Sequence, residues 1–263
     1  MRISLIGSGR VATHLAKVLA RSYQIVQIYS RQYTHAEQLA EKVKAQAVNQ
    51  IEYIQSDIDL LIIAVSDQSI AQVIEQVAKY LPNVLTVHTS GSTDLCVLTQ
   101  FHTRSGVFYP LQTFSLEREV DWSTTPLFVE ASTAQDLAIL NDLAQSLSQS
   151  VYLYSSAQRL SLHLAAVFAC NFSNYCYDMA KQVTDEQQVD FSLLYPLILE
   201  TAHKATQNDP RRMQTGPAMR GDQHILQMHQ SMLESARQDE LKSAYTLLSE
   251  QILQRHRAQD GVY

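Results

Sequence analysis

The chain has 263 residues, of which 46% are hydrophobic and 17% are charged, and its formal net charge at pH 7 is −6. This length suits one or two domains that bury a sizeable core. Proteins that bind nucleic acids usually carry a basic stripe, whereas the densest basic cluster here is the pair Arg211-Arg212. We therefore expect no nucleic-acid partner.

The three cysteines, Cys96, Cys170 and Cys176, form an odd set without C-x-x-C spacing. Such a set predicts neither a disulfide framework nor a zinc site, and reduced thiols are typical of the cytoplasm.

The longest nearly apolar run, residues 162–172, is too short to span a bilayer. The apolar run near the N-terminus ends after four residues at a glycine, which argues against a signal peptide. We expect a cytoplasmic protein with no metal and no membrane span.

Up to about residue 155, short apolar runs alternate with helical patterns. The runs typical of strands are residues 3–6, 25–29, 59–65, 84–88, 107–109, 127–130 and 151–154. The helical patterns are residues 11–21, 36–43, 70–79 and 134–147. This alternation predicts βαβ units and a mostly parallel sheet. Because residues 60–65 are apolar at every position, they predict a central strand covered on both faces.

From residue 156 onward the pattern contains helices only. They are predicted over residues 157–182, 191–207, 223–237 and 239–257. Residues 162–172 are apolar nearly all round the first of these helices, so we expect them to be buried at a domain or subunit interface. A homodimer is the simplest such assembly. The two halves meet at Ser155-Ser156, a typical helix N-cap.

A glycine-rich turn joins the first strand to the first helix. It reads G-x-G-x-x-A, Gly7-Ser8-Gly9-Arg10-Val11-Ala12. This sequence between a strand and a helix is the dinucleotide-binding fingerprint. Gly7 permits the tight turn, Gly9 lets the backbone approach a pyrophosphate, and Ala12 lets helix and strand pack closely. The helix N-terminus adds unpaired N–H groups for the phosphates. The alternative interpretation is an ordinary strand–helix turn.

The second strand is followed by Ser30 and Arg31, where an NAD-binding protein usually has an acid for the ribose 2′-hydroxyl. The first acid in the chain is Glu37. Arg31 can hold a 2′-phosphate through two hydrogen bonds, so the pair favours NADP. Arg31 could instead be a solvated surface residue, and Arg10 either joins the same anion site or is merely exposed.

The turn at residues 7–12 and the Ser30-Arg31 ending resemble the Rossmann domains of pyrroline-5-carboxylate reductases and deazaflavin-dependent NADP oxidoreductases. Nearly the whole chain resembles a bacterial family of predicted NADP oxidoreductases that joins a Rossmann-like domain to a helical domain of unknown function. The matching segments are residues 88–92, 106–114, 163–172 and 215–222. The resemblance implies an α/β, 6-phosphogluconate-dehydrogenase-like fold, in which a Rossmann-type mostly parallel sheet precedes an all-α C-terminal domain. We predict an NADP-binding domain over residues 1–155 and a helical substrate and dimerisation domain over residues 156–263.

One departure from related enzymes concerns the proton donor. In 3-hydroxyisobutyrate dehydrogenases, which the chain resembles more distantly, a catalytic lysine stands four residues before an asparagine on the first helix after the Rossmann domain. If Asn171 matches that asparagine, Val167 occupies the lysine position. The mechanism of those enzymes therefore cannot be carried over.

Ligands of doubly wound sheets bind outside the carboxyl ends of the strands, where several polar segments are expected here. The resemblance implies that Val65, Ser66 and Asp67 lie along the pyrophosphate and nicotinamide ribose, and a helix N-cap is the alternative for this turn.

His88, beside Ser90, could hold the nicotinamide carboxamide or donate a proton to substrate. His88 could equally be hydrogen-bonded into its own turn.

Further candidates for substrate contact follow later in the chain. Tyr109 and Gln112 could bind a carbonyl or carboxylate, although the aromatic residues there could instead be core. His163 and Asn171 share one predicted helical face with Val167. They could act as an acid and an orienting amide, or they could be core polar residues with satisfied hydrogen bonds.

The segment of residues 215–222 contains a Gly-Pro pair and an arginine. Thr215 and Arg220 are candidates for binding a substrate anion, and Asp222 is a candidate N-cap for the next helix. The alternatives are a structural pairing of Arg220 with Asp222 or a dimer contact.

Together these patterns predict an NADP-dependent oxidoreductase that reduces a small, anionic carbonyl or imine substrate. The catalytic candidates are His88, His163, Asn171 and Arg220. A non-catalytic NADP-binding regulatory protein is the alternative, and the absence of the lysine favours it. An enzyme that uses a deazaflavin partner is a third possibility.

Overall fold

The computed structural model describes residues 1–257. The chain forms two compact units, the first from Met1 to Cys170 and the second beginning at Asn171. The domain boundary predicted at Ser155-Ser156 lies one helix earlier than this division and stays a prediction.

The first unit contains an eight-stranded sheet in the order β3-β2-β1-β4-β5-β6-β7-β8. Its strands are β1 (Arg2–Ile6), β2 (Gln24–Tyr29), β3 (Gln46–Val48), β4 (Leu60–Ile63), β5 (Leu85–His88), β6 (Ser105–Pro110), β7 (Leu127–Ala131) and β8 (Val151–Tyr152). Only the pair β6–β7 is antiparallel within this sheet. The predicted α/β fold with a mostly parallel sheet is confirmed.

Helices cover both faces of this sheet. They are α1 (Arg10–Leu19), α2 (Tyr33–Val43), α3 (Asp67–Tyr80), α4 (Cys96–Thr99), α5 (Ala134–Gln145) and α6 (Ser156–Ala166). The apolar core has three clusters. The first contains Leu15 of α1, the second contains Ile70 of α3, and the third contains Tyr109 and Phe128. All four residues of β4 are buried, because apolar side chains on both sides of a parallel strand are covered by a helical layer on each face.

The second unit consists of helices in the part of the chain that the structure describes. They are α7 (Ser173–Glu186), α8 (Tyr195–Gln207), α9 (Pro217–Arg220), α10 (Gln223–Ser235) and α11 (Asp239–Arg257). The all-α character predicted for this part is confirmed. The single helix predicted over residues 157–182 is wrong in detail, since a π-helical segment, Val167–Phe172, separates α6 from α7.

Residues 162–172 are not buried within one chain, and their predicted burial against a second subunit stays a prediction. Leu164 is 58% exposed, Phe168 62% and Phe172 50%, and neither α7 nor α8 contains a buried residue. An apolar sequence indicates that a surface is covered, but it does not say whether the same chain covers it.

Four short elements were missing from the sequence prediction: β3, α4, α9 and the 3₁₀-helix Ile51–Tyr53. Each has three or four residues, too few to display a period. Among the residues described, none of the helices combines the length and the apolar character that spanning a bilayer requires.

Candidate active site

The turn between β1 and α1 is built around Gly7. Its φ is +121°, and a Cβ atom at this position would lie 2.2 Å from the carbonyl oxygen of Ala64. The Gly7 N–H donates to the carbonyl oxygen of Tyr29 at 2.8 Å. Only glycine fits this left-handed, closely packed position, so the tight turn predicted from the sequence is present.

Gly9 differs from Gly7 because the space around it is open. It is the N-cap residue of α1, with φ of −75° and no side-chain hydrogen bond to the first turn, and a Cβ there would meet nothing within 4 Å. The N–H groups at the start of α1 are therefore available to an anion. Val11 is half-buried and Ala12 is fully buried behind this turn. The turn fits the pyrophosphate of a dinucleotide.

The end of β2 meets the glycine turn through two serines. The Ser8 hydroxyl donates to the Ser30 hydroxyl at 3.1 Å. Arg10 and Arg31 are exposed, and neither forms an ion pair among the described residues. Two guanidinium groups close to the phosphate turn are thus free to contact an anion.

The ends of β4 and β5 are joined by hydrogen bonds. The Ser92 hydroxyl donates a short hydrogen bond to the carboxylate of Asp67, the first residue of α3. Ser66 is the N-cap residue of α3, although its hydroxyl contacts Ser69 at 2.9 Å rather than the helix backbone. Ser90 accepts hydrogen bonds from the backbone N–H groups of Ser92 and Thr93. A hydrogen bond thus joins the start of α3 to the loop after β5, and the cofactor contacts predicted for residues 65–67 and 88–92 stay predictions.

His88 is fully buried at the end of β5. Its Nδ1 accepts from the Ser90 N–H at 3.1 Å, and its Nε2 has no hydrogen-bond partner. Burial, reinforced by the charge of Arg159, lowers the pKa of His88 to about 3, with Asp67 and Asp94 acting in the opposite direction. His88 is therefore neutral at physiological pH. This argues against an imidazolium proton donor and leaves Nε2–H as a hydrogen-bond donor.

The lowered pKa of His88 predicts an acid-sensitive stability. An unfolded His88 takes up a proton near pH 6.5, whereas the folded one does so only near pH 3, so protonation between these values favours the unfolded state. As the pH falls through this window, we expect the unfolding free energy of the wild type to decrease by about 1.4 kcal/mol more per pH unit than that of His88→Asn. The substituted asparagine does not titrate, and its side-chain oxygen can accept the Ser90 N–H. Urea unfolding at several pH values measures this, and equal slopes for the two proteins would contradict it.

Tyr109 and His163 form a contact that joins β6 to α6. The Tyr109 Oη lies 3.2 Å from His163 Nδ1, and the rings meet edge to face with centroids 6.2 Å apart. Burial, the largest influence, raises the pKa of Tyr109 to about 12, with Arg159 opposing it and Asp67 adding to it. The phenol is therefore protonated at neutral pH.

Gly91 packs against both of these rings. A Cβ at Gly91 would lie 2.6 Å from His163 Nδ1 and 2.7 Å from Tyr109 Cζ. No side chain fits between the loop and the two rings. The sequence predicted His163 and Tyr109 as separate candidates, and the structure brings them together with the loop that follows His88.

The next two predicted substrate contacts are Gln112 and Asn171. Gln112 is exposed, and its side-chain oxygen accepts from the Thr113 N–H at 2.8 Å. Asn171 follows α6 within the π-helical segment, which breaks the regular spacing that placed it on one face with His163.

The segment of residues 215–222 contains one helical turn, α9 (Pro217–Arg220). Arg220 is the last residue of α9 and is exposed, as is Thr215. Asp222 accepts from the Ile225 N–H at 3.3 Å, which confirms it as the N-cap of α10. The roles predicted for Thr215, Arg220 and Asn171 stay predictions.

Sequence reasoning missed Arg159 and Glu130. Arg159 is 1% exposed and its Nη1 donates to Glu130 Oε2 at 2.7 Å. These residues are 29 positions apart, and no local pattern connects them. One available signal was the position of Arg159, one helical turn before His163 at the start of an apolar helix.

Comparison with known protein families supports a dinucleotide-binding Rossmann protein, the class that this geometry indicates. Residues 1–88 match the family model described as "Oxidoreductase family, NAD-binding Rossmann fold". Residues 125–252 match the model described as "Domain of unknown function (DUF2520)". The chain is thus an oxidoreductase-type Rossmann protein with a further domain of unknown function.

The family follows from a solved structure. A crystal structure described as "putative NADP oxidoreductase" from Bacteroides fragilis is 40% identical, with a TM-score of 0.90, and the match covers 96% of this chain and 98% of that one. The chain belongs to the family of that protein, as the resemblance in the sequence implied.

More distant structures share the fold. An imine reductase from Myxococcus stipitatus in complex with NADP+ is 14% identical, with a TM-score of 0.71 and coverage of 97% of this chain and 96% of that one. A pyrroline-5-carboxylate reductase from Coxiella burnetii is 16% identical, with a TM-score of 0.58 and coverage of 98% and 97%. A search among curated proteins found no match.

Proposed function

We propose that the protein is an NADPH-dependent reductase that reduces a C=O or C=N bond of a small substrate. The observation that carries the proposal is the open space at Gly9, at the N-terminus of α1, next to the Ser8–Ser30 contact and the unpaired Arg31. The family relative from Bacteroides fragilis is described as an NADP oxidoreductase, and the imine reductase structure holds NADP+.

The preference for NADPH over NADH rests on the end of β2. Ser30 and Arg31 are hydrogen-bond donors, whereas an acid at this position would repel a 2′-phosphate. Arg31 is exposed and free to form two charge-assisted hydrogen bonds with that phosphate. Arg10, at the first position of α1, lies beside the pyrophosphate position and adds positive charge.

Replacing Arg31 tests the cofactor proposal directly. We expect Arg31→Ala to weaken NADPH binding roughly 10- to 100-fold, because charge-assisted hydrogen bonds contribute about 1.5–3 kcal/mol. NADH has no 2′-phosphate, so its affinity should not change. Arg21→Ala, which removes another exposed arginine beyond the end of α1, is the matched control. Equal losses for NADPH and NADH, measured by calorimetry, would contradict the assignment of Arg31 to the 2′-phosphate.

The proposed proton source is the Tyr109–His163 pair. NADPH, when bound, supplies the hydride to the carbon of the C=O or C=N bond. The π-electron pair moves to the oxygen or nitrogen, which takes a proton from Tyr109 Oη. If His163 Nδ1 donates to Tyr109 Oη, the phenolic hydrogen is free to face the substrate and the phenolate formed is stabilised. A proton from solvent then restores the pair: His163 takes it up at Nε2 while its Nδ1–H passes to the Tyr109 phenolate.

The remaining predicted residues have proposed binding roles. His88 would donate Nε2–H to the nicotinamide carboxamide or to an ordered water. Val65, Ser66 and Asp67 would lie along the pyrophosphate and ribose. Contacts to an anionic substrate are proposed for Gln112, Asn171, Thr215 and Arg220.

We also propose that two copies of the chain form a homodimer. Leu193, Leu197 and Leu199 of the second unit are 71%, 62% and 69% exposed, and Leu164 of the first unit is 58% exposed. Since α8 has no buried residue, its exposed leucines favour a partner surface that covers them, and a second copy offers the same surface for self-complementary burial. Light scattering should give twice the mass of one chain, and a monomer at micromolar concentration would contradict this proposal.

A non-catalytic NADP-binding protein is the second candidate function. If Asn171 matches the asparagine of the dehydrogenases that the chain resembles, Val167 takes the place of their lysine proton donor, and this favours the non-catalytic protein. Both candidates bind NADPH, and only the reductase oxidises it. A screen of cyclic imines and 2-oxo acids for loss of NADPH absorbance distinguishes the two functions. The cytoplasmic location stays a prediction.

A further inference from the structure

A buried arginine connects the three parts of the Tyr109–His163 site. Arg159 on α6 donates from Nη1 to Glu130 Oε2 at 2.7 Å, and from Nη2 to the carbonyl oxygen of Thr93 and to Ser156 Oγ. Ser156 Oγ also donates to Glu130 Oε2 at 2.7 Å and accepts from the Leu95 N–H at 2.9 Å. The guanidinium is 1% exposed, so water does not compete for these contacts.

Each of these partners is close in the chain to one component of the site. Glu130 lies on β7, which pairs with β6, the strand of Tyr109. Thr93 is two residues after Gly91, and Arg159 is one helical turn before His163. One guanidinium therefore fixes the relative positions of β7, the loop after β5, and α6.

This part of the structure is closely packed. The loop at Gly91 approaches His163 and Tyr109 so closely that even a methyl group would overlap both rings. A shift of α6 or of the loop by less than one carbon radius would change the 3.2 Å distance between Tyr109 Oη and His163 Nδ1.

Stability alone does not explain the buried ion pair. Desolvation of a buried Arg–carboxylate pair offsets most of its attraction, and apolar residues of similar volume are often at least as stabilising. The planar fork of arginine, which makes several hydrogen bonds in fixed directions, is suited to setting geometry. The charge of Arg159 also reaches the site, since it lowers the pKa of both His88 and Tyr109.

We infer that Arg159, held by Glu130, is a positioning residue that sets the contact between Tyr109 and His163. The inference rests on the proposed function, because only that function makes the Tyr109–His163 pair a proton source. The contact itself can be measured in the protein without cofactor.

Substitution of Arg159 should break the ring contact. In Arg159→Met, we expect loss of the nuclear Overhauser effect between the Tyr109 and His163 rings, assigned with Tyr109→Phe and His163→Asn. The pKa of His88, followed through its ring proton, should rise because the nearby positive charge is gone. In Arg159→Lys, which keeps the charge but lacks the fork, the ring contact should weaken while the His88 titration stays close to wild type.

A second ion pair provides the matched control. Arg104 Nη2 lies 2.6 Å from Asp136 Oδ1, a carboxylate that is 2% exposed, and neither residue contacts the Tyr109–His163 pair. Arg104→Met should lower the melting temperature while leaving the ring contact and the His88 titration unchanged. If Arg159→Met kept the wild-type ring contact and the wild-type His88 titration, as we expect of Arg104→Met, the positioning role would be overturned. Should Arg159→Met fail to fold, Arg159→Lys decides, and an intact ring contact there would overturn it.

Titration of the wild type with NADPH separates this inference from the proposed function. Absence of NADPH binding would contradict the reductase, whereas the spectra of the free protein report on Arg159 in either case. Where turnover is found, we expect Arg159→Lys to lower kcat about 10- to 100-fold with unchanged affinity for NADPH.

Discussion

Gly9→Ala is expected to weaken NADPH binding at least roughly 100-fold without destabilising the protein. The backbone at Gly9 has φ of −75°, which alanine adopts freely, and a Cβ there meets no protein atom within 4 Å. The free energy of unfolding should therefore stay the same or rise by about 0.4–1 kcal/mol. The added methyl group would occupy only the space needed by the pyrophosphate. Calorimetry and urea unfolding of the same preparation measure both effects.

Gly7→Ala is the control for this experiment. At Gly7, φ is +121° and a Cβ would lie 2.2 Å from a backbone carbonyl oxygen, so this variant should lose several kcal/mol, roughly 3 or more, in unfolding free energy. The two glycines are two residues apart, yet we expect one to serve the fold and the other the ligand. Wild-type NADPH affinity in a folded Gly9→Ala would contradict the pyrophosphate assignment.

Gly91→Ala is expected to reduce turnover at least roughly 100-fold while NADPH affinity changes little. The new methyl group would force apart Tyr109 and His163, which it would approach at 2.7 Å and 2.6 Å. A proton donor displaced in this way loses the contribution of a positioned acid, which is about 10²- to 10⁴-fold. Steady-state kinetics with the best substrate from the screen, together with calorimetry, measure the two quantities.

Gly106→Ala distinguishes this loss from the general cost of overpacking. A Cβ at Gly106 would approach Leu140 Cδ1 at 2.6 Å and the Glu130 carbonyl oxygen at 2.9 Å. It should lower stability by about 1–3 kcal/mol while retaining most of the turnover. If Gly91→Ala lost no more activity than Gly106→Ala, the Tyr109–His163 pair would not be the proton source.

Much of the Rossmann unit could be predicted because local physics dictates it. The unbroken apolar sequence of β4 predicts a strand covered on both faces, and the glycine turn identifies the β1–α1 junction. The capping role of Asp222 follows from residue type and position alone. By contrast, β3 has only three residues, one of them a glutamine, and shows neither alternation nor an apolar run.

The candidate site was predicted residue by residue, but its contacts were not. Tyr109 and His163 are 54 positions apart, and their meeting depends on how α6 packs against β6. The Arg159–Glu130 pair depends on the same long-range packing. The exposed surface of residues 162–172 shows the converse, since the sequence indicated burial without specifying the covering partner.

The central claim is that this fold binds NADP(H) at the β1–α1 turn, and calorimetric titration of the purified protein tests it most directly. NADPH, NADP, NADH and NAD are compared under identical conditions. We predict binding of NADPH and NADP at least roughly 10-fold tighter than that of NADH and NAD. Binding of none of the four would contradict both the reductase and the NADP-binding regulator.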